Sequence, residues 1–308
     1  MGANRATGWA YREQIGPKTA GQTVLAHLAT TYAHSSPDEW SKRLLRGEVE
    51  LDGVVVAAAT VLEAAQILVW HRPAWEEPPV PLHYDVLYED AVIVAVGKPS
   101  GLPTMPAGGY LHHTLLALVR KRYADARPVH RLGRHTSGVV LFARTREAAA
   151  ALAQAWRQRN VTKRYLALAS GVATADRLEV TAPIGPVPHR LLGSVHAVSS
   201  TGKPARSLAV VLERRADSTL FRVDLITGRP HQIRIHLAYA GYPLTGDRLY
   251  GIGGLPRAGG AALPGDGGYL LHAERLLFLH PSLQTHMDIE SLPPVELQPT
   301  IVSGAGMR

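Results

Sequence analysis

The sequence predicts an α+β protein in which a small α/β module precedes a larger sheet-based domain. Three observations carry this reading. Short apolar runs, VIVAV at 92–96 and VVLFA at 139–143, have the pattern of buried strands. Other segments, at 24–32 and 144–160, carry apolar residues at helical spacing. Between the two parts lies RPAWEEPPVP, whose four prolines predict a stiff, extended linker. With 308 residues, 46% of them hydrophobic and 19% charged, the chain can bury a sizeable core in one large or two ordinary domains.

The elements follow in order. GQTVLAHLATTYA places Val24, Leu28 and Tyr32 on one helical face. A second helix starts at SPDEW, with Ser36 as N-cap and Pro37 in the first helical position, and Gly47 stops it. EVELDGVVV alternates apolar residues around Asp52-Gly53, which predicts a hairpin. After the linker, VIVAV runs into the turn Lys98-Pro99-Ser100-Gly101. His113–Arg122 has helical spacing and a basic end, VVLFA is a core strand, and the alanine-rich 146–160 is an amphipathic helix. KRYLALASG reads as a strand. HQIRIHLAYA reads as a helix with Ile233, Leu237 and Ala240 on one face, ended by Gly241. Eight glycines between 251 and 268 predict a mobile loop. The expected division is an arm over 1–20, a module over 21–72, a linker over 73–81, a domain over 82–299 and a tail over 300–308.

The charge distribution bears on function. The chain carries +8, but residues 120–164 alone carry +10, with twelve Lys or Arg against Asp125 and Glu147. Such concentration fits a polyanionic partner. There is no cysteine, so disulfides and thiolate metal sites are excluded. No apolar run approaches the roughly 18 residues a membrane span needs, and the first residues lack the apolar stretch of a secretory signal. The expectation is a cytoplasmic monomer without membrane attachment. His231 and His236 are five apart, off the helical zinc spacing, and no Gly-rich segment has phosphate-loop spacing. Neither a metal nor a nucleotide cofactor is expected.

The string VHRLGRHTSGVVLFA, 129–143, resembles the H-R-L-D-x-x-T-S-G signature of pseudouridine synthases acting on large-subunit ribosomal RNA, at His130, Arg131, Leu132, Thr136, Ser137 and Gly138. Other strings of that family are similar in order: Lys98, Pro99 and Gly101; Lys163, Tyr165 and Ala167; Gly228, Arg229, His231, Gln232, Ile233, Arg234, His236 and Leu237; Gly246, Asp247, Leu249, Tyr250 and Gly251; and the closing LLHAERLLFLHP. The resemblance covers about residues 82–285. It implies a mixed, mostly antiparallel sheet with a central cleft. The helix–helix–hairpin order of the module resembles the S4-type RNA-binding module that precedes many catalytic domains of this family.

The resemblance also implies roles. Arg131 would help replace an extruded base, Tyr165 would pack on the target uracil and can take a proton, and Arg234 would pair with the catalytic aspartate. The simpler alternatives are a phosphate contact, a half-buried strand tyrosine and a surface arginine. RNA, ribosomal or transfer, would be held by Arg120, Lys121, Arg122, His130, Arg134, Thr136, Lys163, Arg164, Arg229, His231 and Gln232. The sequence departs from the pattern where the family's catalytic aspartate falls, at Gly133, and by Pro230 before His231. Spacing indicates neither Asp125 nor Asp247 as a substitute. Arg234 is therefore expected near Gly133 without its usual carboxylate, beside an anion, water or a substitute acid. Two functions stay open: a synthase with an atypical site, or a catalytically silent RNA-binding or RNA-remodelling protein.

Overall fold

The structure, a computed structural model, describes residues 5–6, 8–32 and 35–300. The tail expected from 300 onward lies outside these residues except for Thr300. The described residues form two compact units, divided between Pro78 and Pro79. Among the described residues no helix is long and apolar enough to cross a membrane.

The first unit packs helices Val24–Thr31 and Pro37–Leu45 on a four-stranded antiparallel sheet. Thr23 caps the first helix, and Ser36 with Glu39 closes a capping box on the second. Val49–Leu51 and Val54–Val55 form the hairpin, with Asp52 and Gly53 at φ of 51° and 83°, the geometry an Asp-Gly turn supplies. Ile15, Val24, Leu28, Trp40, Leu44, Val49 and Leu68 form the core. Two expectations need correction. Trp9–Gln14, expected in an arm, is a sheet strand paired over its whole length with Ile67–Arg72. Trp75–Glu76, expected in the linker, pairs with Arg5–Ala6. The prolines flank that two-residue ladder and so remove none of its donors.

In the second unit a ten-stranded sheet is antiparallel except for one pairing. Strand Ser137–Ala143 lies wholly buried in its middle, antiparallel to Ile93–Lys98. On its other side it runs parallel to Leu271–Leu279, through Ser137↔His272 and Gly138↔Ala273. That short parallel contact positions the site. Two strands that start together at one end of a sheet bring their preceding loops side by side, here 129–136 and 264–270. The approach is close enough to require glycine: a Cβ on Gly138, at φ 110°, would lie 2.1 Å from the Ala273 carbonyl oxygen.

By the two-residue pleat, Tyr165, Ala167 and Ala169 of strand Thr162–Ser170 share one face. Helix Leu115–Arg122 packs on one part of that face and helix Gln232–Tyr239 on another, and Tyr165 touches both apolar clusters. Helix Arg146–Gln158 covers the opposite face with Ala148 and Leu152.

Candidate active site

The loop 130–136 is fixed from below. The Leu141 N–H donates to Nε2 of His130 over 3.0 Å, and the His130 ring stacks on Trp156 at 5.2 Å. Burial, with Lys163 nearby, pushes His130 down to about 4 and keeps it neutral. Lys98, 2% exposed, donates to the carbonyls of Pro99, Leu102 and Arg134 at 2.7–2.9 Å. Burial pulls its pKa down to about 7, yet three acceptors use all three ammonium protons, so the geometry fits the charged form. Thr104 accepts from the Leu132 N–H and donates to its carbonyl. The loop is thus tied to the turn after strand Ile93–Lys98.

Gly133 lies at the exposed top of this loop, outside the left-handed region. A Cβ built there would meet Tyr269 Oη at 3.0 Å and Thr136 Oγ1 at 3.4 Å. Tyr269 connects Gly133 to Arg234, whose guanidinium lies over its ring at 4.2 Å and over Tyr250 at 5.0 Å.

Arg234 does not lack a carboxylate. Its Nε and Nη2 donate to the two oxygens of Asp247 at 2.7 and 2.8 Å, and its Nη1 donates to the Pro264 carbonyl at 3.0 Å. Burial opposes the charge on Arg234, but the bonded Asp247 outweighs it and raises the pKa; burial raises Asp247, and Arg234 with the N–H groups of Leu249 and Tyr250 brings it below the usual range. The carboxylate beside Arg234 is thus that of Asp247, which spacing does not indicate. Its side chain is 0% exposed and accepts from Arg234 and two backbone donors. It holds the arginine and is closed off from solvent.

The other expected residues separate into two groups. Arg120, Lys121, Arg122 and Arg131 are exposed, Arg134 is half-buried against the Tyr110 hydroxyl, and Arg229 is half-buried with its Nε on the Pro204 carbonyl. Lys163 lies near Gly228, and Arg164 pairs with Asp224. Four residues expected at RNA turn inward instead. His130 anchors the loop as described. Thr136 is buried, 3.4 Å from Tyr269 Oη. Gln232, 2% exposed, ties Thr227, Arg229, Arg206 and Ser207 together. His231 bonds Tyr250 Oη at 2.8 Å, and burial beside Arg234 pushes it down to about 3. Polar side chains in a tightly connected loop satisfy neighbouring backbone before solvent.

Sequence reasoning missed Tyr269 and His135, and named Lys98 only as part of a family string without its anchoring role. His135 meets Tyr269 edge-on at 6.3 Å, and Arg134 donates to its Nε2 at 2.9 Å. Burial, then Arg134, Lys98 and Arg234, lower its pKa, while Asp266 opposes them. The Gly-rich segment expected to be mobile is fastened here, through Pro264 on Arg234, Arg257 on the Asp247 carbonyl, and Gly246 packed on Gly268. Tyr165 sits where its strand shifts register against Leu271–Leu279, between Arg164 and Tyr165, and burial pushes its phenol up to about 12. Such an irregularity re-aims a side chain.

A sequence profile of RNA pseudouridylate synthases matches residues 92–239. A Synechocystis protein described as an uncharacterized RNA pseudouridine synthase is 41% identical over 281 residues, spanning 90% of this chain and 97% of its own. The chain belongs to the pseudouridine synthase family. A Vibrio parahaemolyticus relative, ribosomal large subunit pseudouridine synthase D, is 32% identical over 89% of this chain and 87% of its own. Among solved structures, human RNA pseudouridylate synthase domain containing 1 is similar with a TM-score of 0.57 and 25% identity, over 70% of this chain and 86% of that one. Members of this family are isomerases, and the mixed, mostly antiparallel sheet is their fold.

Proposed function

We propose that this pseudouridine synthase isomerises uridine in structured RNA, ribosomal or transfer, through a site in which Gly133 stands at the family's catalytic aspartate. In the reaction the C1′–N1 bond of uridine breaks, C1′–C5 forms, the C5 hydrogen leaves as a proton and N1 gains one. No electron is transferred. The protein must extrude the base, enclose it and stabilise the sugar. Tyr165, between the two helical clusters of one sheet face, packs on the uracil. Arg131, exposed on the loop, takes the place of the extruded base, as a planar guanidinium can. Arg234, locked by Asp247 beneath Tyr269, supplies fixed positive charge. Arg120, Lys121, Arg122, Arg134, Lys163, Arg164 and Arg229 hold phosphates along the cleft. The helix–helix–hairpin of the first unit supports an S4-like RNA-binding role for residues 21–72. The chain works as a cytoplasmic monomer.

One observation carries the reading: the parallel strand start that sets the Gly133 loop beside Tyr269 and Arg234. A specific observation also favours the second reading, a silent RNA-binding protein. Gly133 offers no carboxylate, and four donated bonds close Asp247 off. Tritium release from RNA carrying [5-³H]uridine separates the two, because bond formation at C5 expels that hydrogen. Slow release by the wild type supports an atypical synthase. Release by Gly133→Asp alone means an intact but silent scaffold. Release by neither, with both proteins folded, sinks the catalytic reading.

A further inference from the structure

The first unit presents aromatic rings and guanidinium groups together at one part of its surface. On strand Trp9–Gln14, Trp9 and Tyr11 are 46% and 42% exposed. They stand two residues apart on one face, directly opposite Arg72 and Trp70 of the neighbouring strand. Directly paired residues share a face. Tyr11 stacks on Trp70 with centroids 5.3 Å apart and planes 17° off parallel. Arg43 lies over both Trp40 and Trp70, at 4.6 and 4.7 Å, and Arg72 lies 3.5 Å over Trp75. Arg46 and Arg72 are both close enough to Arg43 to oppose its charge. Three acids nearby are engaged: Glu48 by Arg46 and the Trp70 indole, Glu13 by His27 and Tyr32, and Glu39, whose charge favours that of Arg43, by the Ser36 N–H.

Scattered exposed aromatics are ordinary. Two large exposed rings on one face, one of them stacked on a third and bordered by Arg43 and Arg72, are not scattered. Ring faces receive bases, and guanidinium groups receive phosphates and stack in turn. We propose that Trp9 and Tyr11, backed by Trp70 and flanked by Arg43 and Arg72, form a stacking platform for two or more unpaired nucleotides of a single-stranded RNA segment. The choice of RNA rests on the function proposed above; the platform itself rests on rings, cations and exposure. A duplex, with its bases already stacked on one another, has none to offer this surface.

The test uses the full-length protein and a fluorescently labelled RNA oligonucleotide of about ten nucleotides containing only A and C, so that no uridine enters the isomerisation site. Anisotropy titrations compare wild type, Trp9→Ala/Tyr11→Ala and Trp9→Phe/Tyr11→Phe, with circular dichroism matched among the three. Stacking losses predict roughly tenfold or more weaker binding for the double alanine variant and near wild-type binding for the double phenylalanine variant. Affinity for a duplex of equal length should not change. Unchanged single-strand affinity in the alanine variant overturns the proposal, as does an equal loss on duplex. Loss of self-association by sedimentation, with RNA affinity intact, would assign the face to a second copy of the chain and overturn it too. Tritium release is read on the same preparations. Failure of turnover without loss of platform binding counts against the catalytic reading alone.

Discussion

The Arg234–Asp247 pair shows what one buried ion pair can and cannot do. Both side chains are almost fully out of water, at 3% and 0% exposure. Removing one partner strands the other charge, so Asp247→Asn should cost about 3–5 kcal/mol in urea denaturation. Arg234→Met combined with Asp247→Leu should recover most of that loss, because an apolar pair of similar volume avoids the desolvation penalty. If Arg234 acts in the reaction, the double variant stays inactive although stable. Recovered activity would reduce Arg234 to a structural role. At Gly133 the balance differs. Its backbone is not left-handed, so aspartate fits the chain, and Tyr269 need yield only a few tenths of an ångström. We expect Gly133→Asp to change stability by less than about 1 kcal/mol while raising tritium release by orders of magnitude, the scale on which a missing catalytic group is felt.

At the scale of elements, the crossing of strands Ser137–Ala143 and Leu271–Leu279 is the critical joint. Gly138→Ala would drive a Cβ into the Ala273 backbone at a φ that disfavours any side chain. The substitution should cost more than about 3 kcal/mol and loosen the Gly133 loop, read as a lower melting temperature and faster amide exchange over 130–136. Long segments with a clear period were legible in the sequence: the helix at 146–158, the helix at 115–122, the buried strands at 93–98 and 137–143, and the capped helix at 37–45. Trp9–Gln14 was not, because a six-residue edge strand with four polar or small positions gives no period until its partner is known. Nor was Asp247 legible as the partner of Arg234, or Tyr269 as the neighbour of Gly133. Those contacts close over 13 and 136 residues through a helix turn and a strand crossing, and no local spacing encodes them. Inward-facing polar residues such as Gln232 and His130 look like surface ligands in a sequence, because only the fold shows which backbone groups need them.

Over the whole molecule, charge and acid response can be read together. The basic stretch 120–164 should give RNA binding a steep salt dependence, and charge reversal at exposed Arg120, Lys121 and Arg122 should flatten it, measured as the slope of log K against log salt. Salt-insensitive binding would remove this segment from the interface. Stability should depend on pH through two histidines held neutral in the fold, His130 at about 4 and His231 at about 3. In the unfolded chain both protonate near 6.5. Between those values the unfolded state binds more protons, so stability is full above pH 6.5 and falls as acid is added. Each ring contributes a slope of up to roughly 1.4 kcal/mol per pH unit. Urea midpoints at pH 7, 5.5 and 4.5 should fall in that order, and His130→Gln should lessen the fall.

The parallel contact has a consequence for the time course of folding. Ser137 and His272 are joined across 135 residues, whereas the pairing of Ile93–Lys98 with Ser137–Ala143, from Gly138↔Lys98 to Ala143↔Ile93, spans only 40–50. Contacts of long sequence separation form late, since loop closure must precede their reward. During synthesis the ribosome would release almost the entire chain before the partner strand emerges, so the nascent protein carries the first strand pair but no framed loop. Pulse-labelled hydrogen exchange should show early protection at 93–98 and 139–143 and late protection at 271–279. Simultaneous protection of all three would mean that the crossing nucleates folding instead of completing it.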